Sequence, residues 1–147
     1  MLRVLMLSLC SLFALRASGQ LQKTIHQTYS MPDTVSLIEL SINGPFAVQT
    51  WPGNVVMSEV RISLYNGSEG LLKHFMESQR YDIVSQVAGD SLRVQSLMME
   101  RPEIKTDKGV ITELVDVRLF LPDTFEAVSE GVWRRKEKAE TPEGEGQ

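Results

Sequence analysis

"LSINGPFAVQTWPGNVV", residues 40–56, is the stretch that decides the fold, because two turn signals here separate apolar-rich runs. Asn43-Gly44 is typical of a tight β-hairpin turn, since both residues tolerate positive φ. Pro52-Gly53 is typical of a type II turn, in which proline presets φ and glycine takes the positive-φ position. The stretch therefore predicts a meander whose successive strands pair in antiparallel order.

The segments on either side of this stretch alternate between apolar and polar residues, which is typical of strands buried on one face. Residues 35–44 and 55–65 both follow the pattern, and Glu59 and Arg61 mark the exposed face of the second segment. Pro45, directly behind the first turn, disturbs only the simplest two-residue hairpin. The predicted inward residues are Ile38, Leu40, Ile42, Val60, Ile62 and Leu64.

A change of period after Asn66-Gly67 predicts one short helix within residues 68–78, "SEGLLKHFMES". Ser68 is available as the N-cap, and Glu69 lies in the first turn. The apolar stripe at helical spacing is Leu71, Leu72, Phe75 and Met76.

Strand character returns in the C-terminal half of the chain. Residues 81–87 and 91–97 predict a second hairpin around a Gly-Asp turn. Residues 99–109 are charged, contain proline and glycine, and predict a loop. Residues 110–122 predict the last long strand. Its predicted inward residues are Ile111, Val115, Val117, Leu119 and Leu121.

The first 19 residues have the layout of a secretory signal peptide, with a basic start at Arg3, an apolar run and small residues before Gln20. The apolar run is shorter than the roughly 20 residues that a membrane span needs. Cys10 lies inside this run and follows Leu9 rather than a small residue, which disfavours the alternative of a lipoprotein. We expect export, cleavage after Gly19, and no transmembrane span afterwards.

Four segments follow from these patterns. They are a signal peptide (1–19), a polar lead-in (20–34), an antiparallel β domain (35–133) and a disordered charged tail (134–147). The predicted fold class is mainly β, a small antiparallel β-sandwich or meander with one short helix.

The composition of the processed chain excludes several kinds of chemistry. Cleavage removes the single cysteine and two of the 15 basic residues, leaving 13 against 19 acidic residues. No disulfide, thiolate nucleophile or cysteine-ligated zinc is then available. An acidic chain without a basic block disfavours nucleic acid as a partner.

No motif indicates catalysis or a cofactor. The sequence lacks GxSxG, HExxH, GxxxxGK[ST] and GxGxxG. His26 and His74 have no metal-ligating neighbour at useful spacing. Glu39 and Glu59, expected on adjacent strands, belong to the exposed side of the predicted sheet without an evident cleft. We therefore predict no catalytic residue, no metal and no cofactor.

Four aromatic residues are the candidates for ligand binding: Trp51, Tyr65, Tyr81 and Phe120. Aromatic rings that share one exposed face can stack on sugar rings, although the same residue types are also ordinary strand formers. A glycan or small-ligand site is therefore an alternative function, centred on the sheet face around Trp51 and Phe120.

Three motifs in order, at residues 43–51, 89–94 and 115–122, give the chain a likeness to a known family. They are an "nGxhxhxxW"-like hairpin, where h is apolar, a "GDxLxV"-like hairpin and a strand closing in "hxhxhP". Over residues 35–128 the chain resembles the adhesin family of bacterial envelope proteins, β-rich repeat proteins related to auto-transporter adhesin head domains. The resemblance implies the start of a β-solenoid-like domain, an adhesive role and no catalytic residues.

Together these observations predict a non-enzymatic, adhesin-like β module of a bacterial cell envelope or surface. Its expected location is the periplasm, the outer-membrane surface or the medium. Its expected partner is an envelope or surface protein or a second copy of itself, with a glycan as the alternative ligand.

Overall fold

The computed structural model describes residues 19–138, which form ten strands and one helix. The predicted signal peptide up to residue 18 and the predicted tail from residue 139 lie outside the described residues. The helix is α1 (Glu69–Glu77). The strands are β1 (Leu21–Tyr29), β2 (Leu37–Ser41), β3 (Phe46–Trp51), β4 (Val56–Tyr65), β5 (Ile83–Ala88), β6 (Ser91–Ser96), β7 (Ile104–Thr106), β8 (Gly109–Pro122), β9 (Phe125–Ser129) and β10 (Val132–Arg135).

Two sheets of five strands make up the fold, which confirms the predicted mainly β class with one short helix. The first sheet has the order β1-β4-β8-β3, and β7 pairs with the start of β8. The second sheet has the order β5-β6-β2-β10-β9. Both sheets are mixed, because β3 runs parallel to β8 and β2 runs parallel to β6.

Period-two alternation on β4 and β8 builds the core, as the sequence predicts. Val60 and Ile62 are almost fully buried, whereas Arg61 between them is exposed. Leu119 and Leu121 on β8 are also fully buried. Their burial removes apolar surface from water, which is the main favourable term in folding.

Helix α1 begins where the sequence predicts it. The Ser68 side chain accepts a hydrogen bond from the Leu71 amide at 3.2 Å, which caps the first turn. The predicted apolar stripe packs against the core cluster. The Gly89-Asp90 hairpin between β5 and β6 is also confirmed, with Gly89 at φ 63°.

The predicted meander of residues 40–56 is wrong, because β2 and β3 belong to different sheets. Gly44 has the expected positive φ of 84°, but the turn carries the chain across the sandwich. The Asn43 amide donates to Ser96 Oγ at 2.9 Å, and Asn43 Nδ2 donates to the Met98 carbonyl at 3.1 Å. These bonds tie the turn to the end of β6, so β2 lies beside β6.

The turn at Pro52-Gly53 also joins strands that are not neighbours, because β8 lies between β3 and β4. Gly53 does not have positive φ, so the predicted type II turn is absent. Instead, a Cβ at Gly53 would collide with the indole ring of Trp51. Glycine is needed here for close approach of a side chain rather than for a left-handed backbone.

The polar lead-in predicted for residues 20–34 is also wrong, since most of it forms β1 and pairs with β4. The inward residues of β1 include Leu21, Ile25 and Tyr29, but Lys23 and Gln27 interrupt them. The apolar alternation is therefore broken. Antiparallel pairing with β4 still forms because the backbone supplies the hydrogen bonds.

Three short strands escape the sequence analysis. Strand β7 lies in the predicted loop and pairs with the start of β8, where Gly109 has φ 116°. Strands β9 and β10 form a hairpin at the end of the predicted domain. Strand β10 continues to Arg135, so the predicted tail begins two residues too early. The Lys136 amide still donates to the Thr124 carbonyl at 2.8 Å.

One side of the sandwich is closed by a buried polar clasp. Tyr29 Oη lies 2.8 Å from Ser58 Oγ and 3.1 Å from the Ile83 carbonyl oxygen. The Ile83 amide donates to Gln27 Oε1 at 3.3 Å. These hydrogen bonds join β1 and β4 of the first sheet to β5 of the second. Inward polar residues on β1 and β4 thus hold the two sheets together.

Helix α1, the one helix among residues 19–138, lacks the length and apolar character that a membrane crossing requires.

Exchange of Ile62 for aspartate should remove more than about 4 kcal/mol of the free energy of unfolding, because it buries an unpaired charge. Circular dichroism during urea titration measures the loss. The matched control is Arg61→Ser on the exposed face, which should change stability by about 0.5 kcal/mol or less. Equal losses at the two positions would contradict the assignment of the faces of β4.

Exchange of Tyr29 for phenylalanine should lower the free energy of unfolding by about 1–3 kcal/mol, since Ser58 and the Ile83 carbonyl lose their partner. Urea titration measures the change. Tyr65→Phe is the control, because the Tyr65 hydroxyl makes no hydrogen bond to any residue within 19–138. A Tyr29→Phe variant as stable as the control would show that the clasp does not stabilise the fold.

The clasp also predicts alkaline sensitivity. Burial raises the pKa of Tyr29 to about 12 from its ordinary value of 10.0. The unfolded chain loses this proton first, so the contribution of Tyr29 to stability is complete below pH 10.0 and is lost as the pH rises to about 12. The free energy of unfolding should fall less over this interval in Tyr29→Phe than in the wild type.

Candidate functional site

The structure brings two of the four candidate aromatic residues together. Phe120 on β8 pairs with Gln49 on β3, and Trp51 lies two residues farther along β3, beside Pro122. By alternation both aromatic side chains belong to the outer face of the first sheet. Each is only partly exposed. This diagonal pair is the remaining basis for the predicted stacking surface.

The indole ring of Trp51 is held by its own turn. Its Nε1–H donates to the Val55 carbonyl at 3.0 Å, and the ring packs over Gly53. A ring fixed in this way loses little conformational entropy when a ligand stacks on it. However, its only polar group is already bonded, so Trp51 offers a surface for stacking rather than a hydrogen bond.

Tyr65 and Tyr81 lie away from this pair. Tyr65 is on the outer face but pairs with Thr112, eight residues from Phe120 along β8 and therefore about 26 Å away. Tyr81 is only 3% exposed and points into the core. A single surface formed by all four aromatic residues does not exist.

The centre of the outer face of the first sheet is charged. Glu59 lies 3.3 Å from Arg61, 3.9 Å from His26 and 4.0 Å from Arg118. Glu39 lies on β2 in the second sheet, where it pairs with Arg93 at 3.2 Å. The expectation that Glu39 and Glu59 lie on adjacent strands is therefore wrong, and no paired carboxylates of the glycosidase kind arise from them.

The side of the sandwich opposite the clasp is open. A groove of about 440 Å³ lies between β3 of the first sheet and the β9–β10 hairpin of the second. We call it the open groove. It is lined mainly by Pro45, Phe46, Val48, Ala127, Gly131 and Trp133. Phe46, Val48 and Trp133 are all partly exposed, so apolar surface remains uncovered here.

Among residues 19–138, β3 lies at an edge of the first sheet, and no described strand pairs with its backbone on the side of the open groove. The Trp51 carbonyl accepts from the Asp123 amide at 2.8 Å, so the peptide groups of Trp51 point toward β8. Successive residues of a strand point their N–H and C=O groups to opposite sides. The peptide groups of Val48 and Thr50 therefore point away from β8, where the first sheet ends.

Tyr81 belongs to a second polar cluster, around Glu113. Tyr81 Oη donates to Glu113 Oε2 at 3.0 Å, and Arg80 Nε donates to the same oxygen at 2.8 Å. Arg101 Nε lies 3.0 Å from Glu113 Oε1. Burial of the hydroxyl is the main cause that raises the pKa of Tyr81 well above its usual range, and the negative charge of Glu113 is the second cause. The hydroxyl therefore stays protonated and donates to Glu113.

The sequence patterns used above do not indicate Arg80, Arg101 or Glu113 as site residues. One signal was available, because Glu113 stands between Ile111 and Val115 on the inward face of β8. A charged residue at an inward position indicates a buried partner. No local pattern marks Arg80 or Arg101, since the loops that carry them are positioned by tertiary contacts.

His26 and His74 are both exposed, and no group of three His, Cys, Asp or Glu side chains within residues 19–138 could hold a metal ion. Comparison of the chain with protein-family models, with curated proteins and with solved structures gives no match.

Proposed function

We propose that this protein is an exported, non-enzymatic, adhesin-like β module of a bacterial cell envelope, which binds an extended segment of another envelope protein. The observation that carries the proposal is the free edge of β3 beside the open groove. An added strand would pair with the outward peptide groups of Val48 and Thr50. Its alternate apolar side chains would cover Phe46 and Trp133.

The composition of β3 supports strand addition. The strand "FAVQTW" contains no charged residue, whereas natural edge strands are often protected by charge. Pro45 and Pro52 flank it, and proline cannot donate to a ladder. Pairing is therefore limited to the short stretch between them, which suits one short segment of a partner.

An extended segment fits the open groove better than a second copy of the chain does. If β3 of a second copy paired with β3 of the first, its inward side chains would face the core of the second copy. They could not enter the open groove of the first copy. A single extended segment has one face free to fill it. We therefore assign a segment of another protein as the occupant. Hydrogen exchange distinguishes this occupant from a second copy of the chain.

A single-cysteine variant, Gln49→Cys, tests the proposal in the processed chain, which has no other thiol because Cys10 lies in the predicted signal peptide. Gln49 is exposed on β3 and can carry a thiol-linked photocrosslinker. Gln86→Cys, exposed on the edge strand β5, is the matched control. We expect the Gln49 adduct to trap a protein from envelope fractions, and the Gln86 adduct not to trap it.

Hydrogen exchange then decides whether the trapped protein pairs with β3. A synthetic peptide of the crosslinked segment should slow exchange of the Val48 and Thr50 amides, while the Gln49 amide, which faces β8, should stay unchanged. A peptide that leaves Val48 and Thr50 unchanged would contradict strand addition. Protection in the isolated chain that grows with its own concentration would replace the partner with a second copy.

The fixed indole ring of Trp51 beside Phe120 supports a second candidate, a small-ligand or glycan site on the outer face of the first sheet. Because the chain has two tryptophans, a Trp133→Phe variant isolates the fluorescence of Trp51. A glycan panel should shift this emission, and the further substitution Phe120→Ala should remove the shift. Absence of any shift across the panel would exclude this candidate.

A further inference from the structure

A gap in the first sheet lies beside the cluster around Glu113. On one side of β8, β7 pairs only up to Ile111 and β3 pairs only from Val117 onward. Within the described part of the chain, residues 112–116 have no strand on this side. A cavity of about 320 Å³ adjoins the gap, and Arg80, Arg101 and Glu113 are among its lining residues.

The cluster holds more positive than negative charge away from water. The side chains of Arg80 and Arg101 are 8% and 14% exposed, and that of Glu113 is 13% exposed. One carboxylate therefore faces two guanidinium groups. Removing a charge from water costs several kcal/mol or more unless a partner compensates it, so the excess positive charge favours an additional anion.

Other charges near the cavity do not supply that anion. Glu103 also lines the cavity, but its carboxylate lies 3.4 Å from Lys105 Nζ. The side chains of Glu103 and Lys105 are both largely exposed, at 58% and 74%. Their pair is therefore solvated and neutral as a unit.

The two arginines differ in how many of their donor groups have an acceptor. Arg80 donates through Nε to Glu113 and through Nη2 to the Pro102 carbonyl at 2.7 Å, and its guanidinium lies over the Phe75 ring. Arg101 Nε lies 3.0 Å from Glu113 Oε1, and the Arg101 guanidinium carbon lies 6.0 Å from the centre of the Tyr81 ring. The two terminal amino groups of Arg101 make no hydrogen bond to a residue within 19–138, and no unpartnered side-chain nitrogen there is sealed from water.

Glu113 has little acceptor capacity left for those donors, because three groups already contact its two oxygens, which offer about four acceptor positions. Arg80 and Tyr81 share Oε2, and Arg101 Nε lies against Oε1. Arg101 lines the cavity, and its terminal amino groups have no hydrogen-bond acceptor among residues 19–138. A guanidinium fork is shaped to bind two oxygens of one carboxylate or phosphate group.

We propose that this cavity binds a small oxyanion, a carboxylate or phosphate group, through the terminal amino groups of Arg101, with Arg80 adding positive charge. The site is separate from the open groove and does not depend on the proposed function. Ile104 and Ile111 form its apolar wall. A free anion and the anionic group of a larger molecule share the same chemistry.

Thermal unfolding of the processed chain in inorganic phosphate tests the proposal, with sodium chloride at matched ionic strength as the reference. A ligand that binds only the folded state raises the melting temperature in a saturable manner. We expect phosphate to raise it in the wild type and not in Arg101→Gln. Arg93→Gln, which removes an exposed arginine that also pairs with a glutamate, should keep the full phosphate effect.

Equal phosphate effects in Arg101→Gln and the wild type would overturn the proposal, as would a wild-type effect no larger than that of chloride. If Arg101→Gln does not fold, NMR titration of the wild type replaces it. Phosphate should then shift the Arg101 side-chain Nε–H resonance saturably, and an unmoved resonance would reject the site. Acetate in place of phosphate shows whether a carboxylate binds as well.

Discussion

The antiparallel pairing of β4 with β8 is the constraint on which the rest of the structure depends. It runs from Met57 opposite Phe120 to Tyr65 opposite Thr112 and forms the centre of the first sheet. At 14 residues, β8 is the longest strand among residues 19–138. The second sheet and α1 supply apolar partners for its inner face, and Glu113 near its start requires polar ones. The core, the gap and the charged cluster all follow from this one long strand.

The same constraint explains which parts of the fold could be predicted from the sequence. Local features were predictable, because alternation fixes the faces of β4 and β8 and Ser68 caps α1. Pairing was not, because an Asn-Gly turn has the same sequence whether it closes a hairpin or crosses between sheets. What distinguishes the two is the bonding of Asn43 to Ser96 and Met98, more than 50 residues away along the chain.

Polar residues at inward positions were the main source of error. Gln27 breaks the alternation of β1, yet it and Tyr29 form the clasp to β5. Glu113 likewise breaks the alternation of β8 and binds two arginines. A sequence pattern records such residues as interruptions, whereas in the fold they are paired across elements. The candidate sites were therefore only partly predictable: the common face of Trp51 and Phe120 follows from alternation, while the groove and the cluster arise from tertiary pairing.

Two of the connections that pass between the sheets lie near the ends of β3, and they affect how a segment enters the open groove. One crossing, at Gly44, lies at the start of β3, and the other, after Pro122, lies beside its end. One link joins β3 to β2 and the other joins β8, the neighbour of β3, to β9, so the two sheets are covalently connected near both ends of the groove. A segment must enter sideways along its whole length. Such lateral docking requires no local unfolding of the sandwich, and ordering of the incoming segment is the main entropic cost.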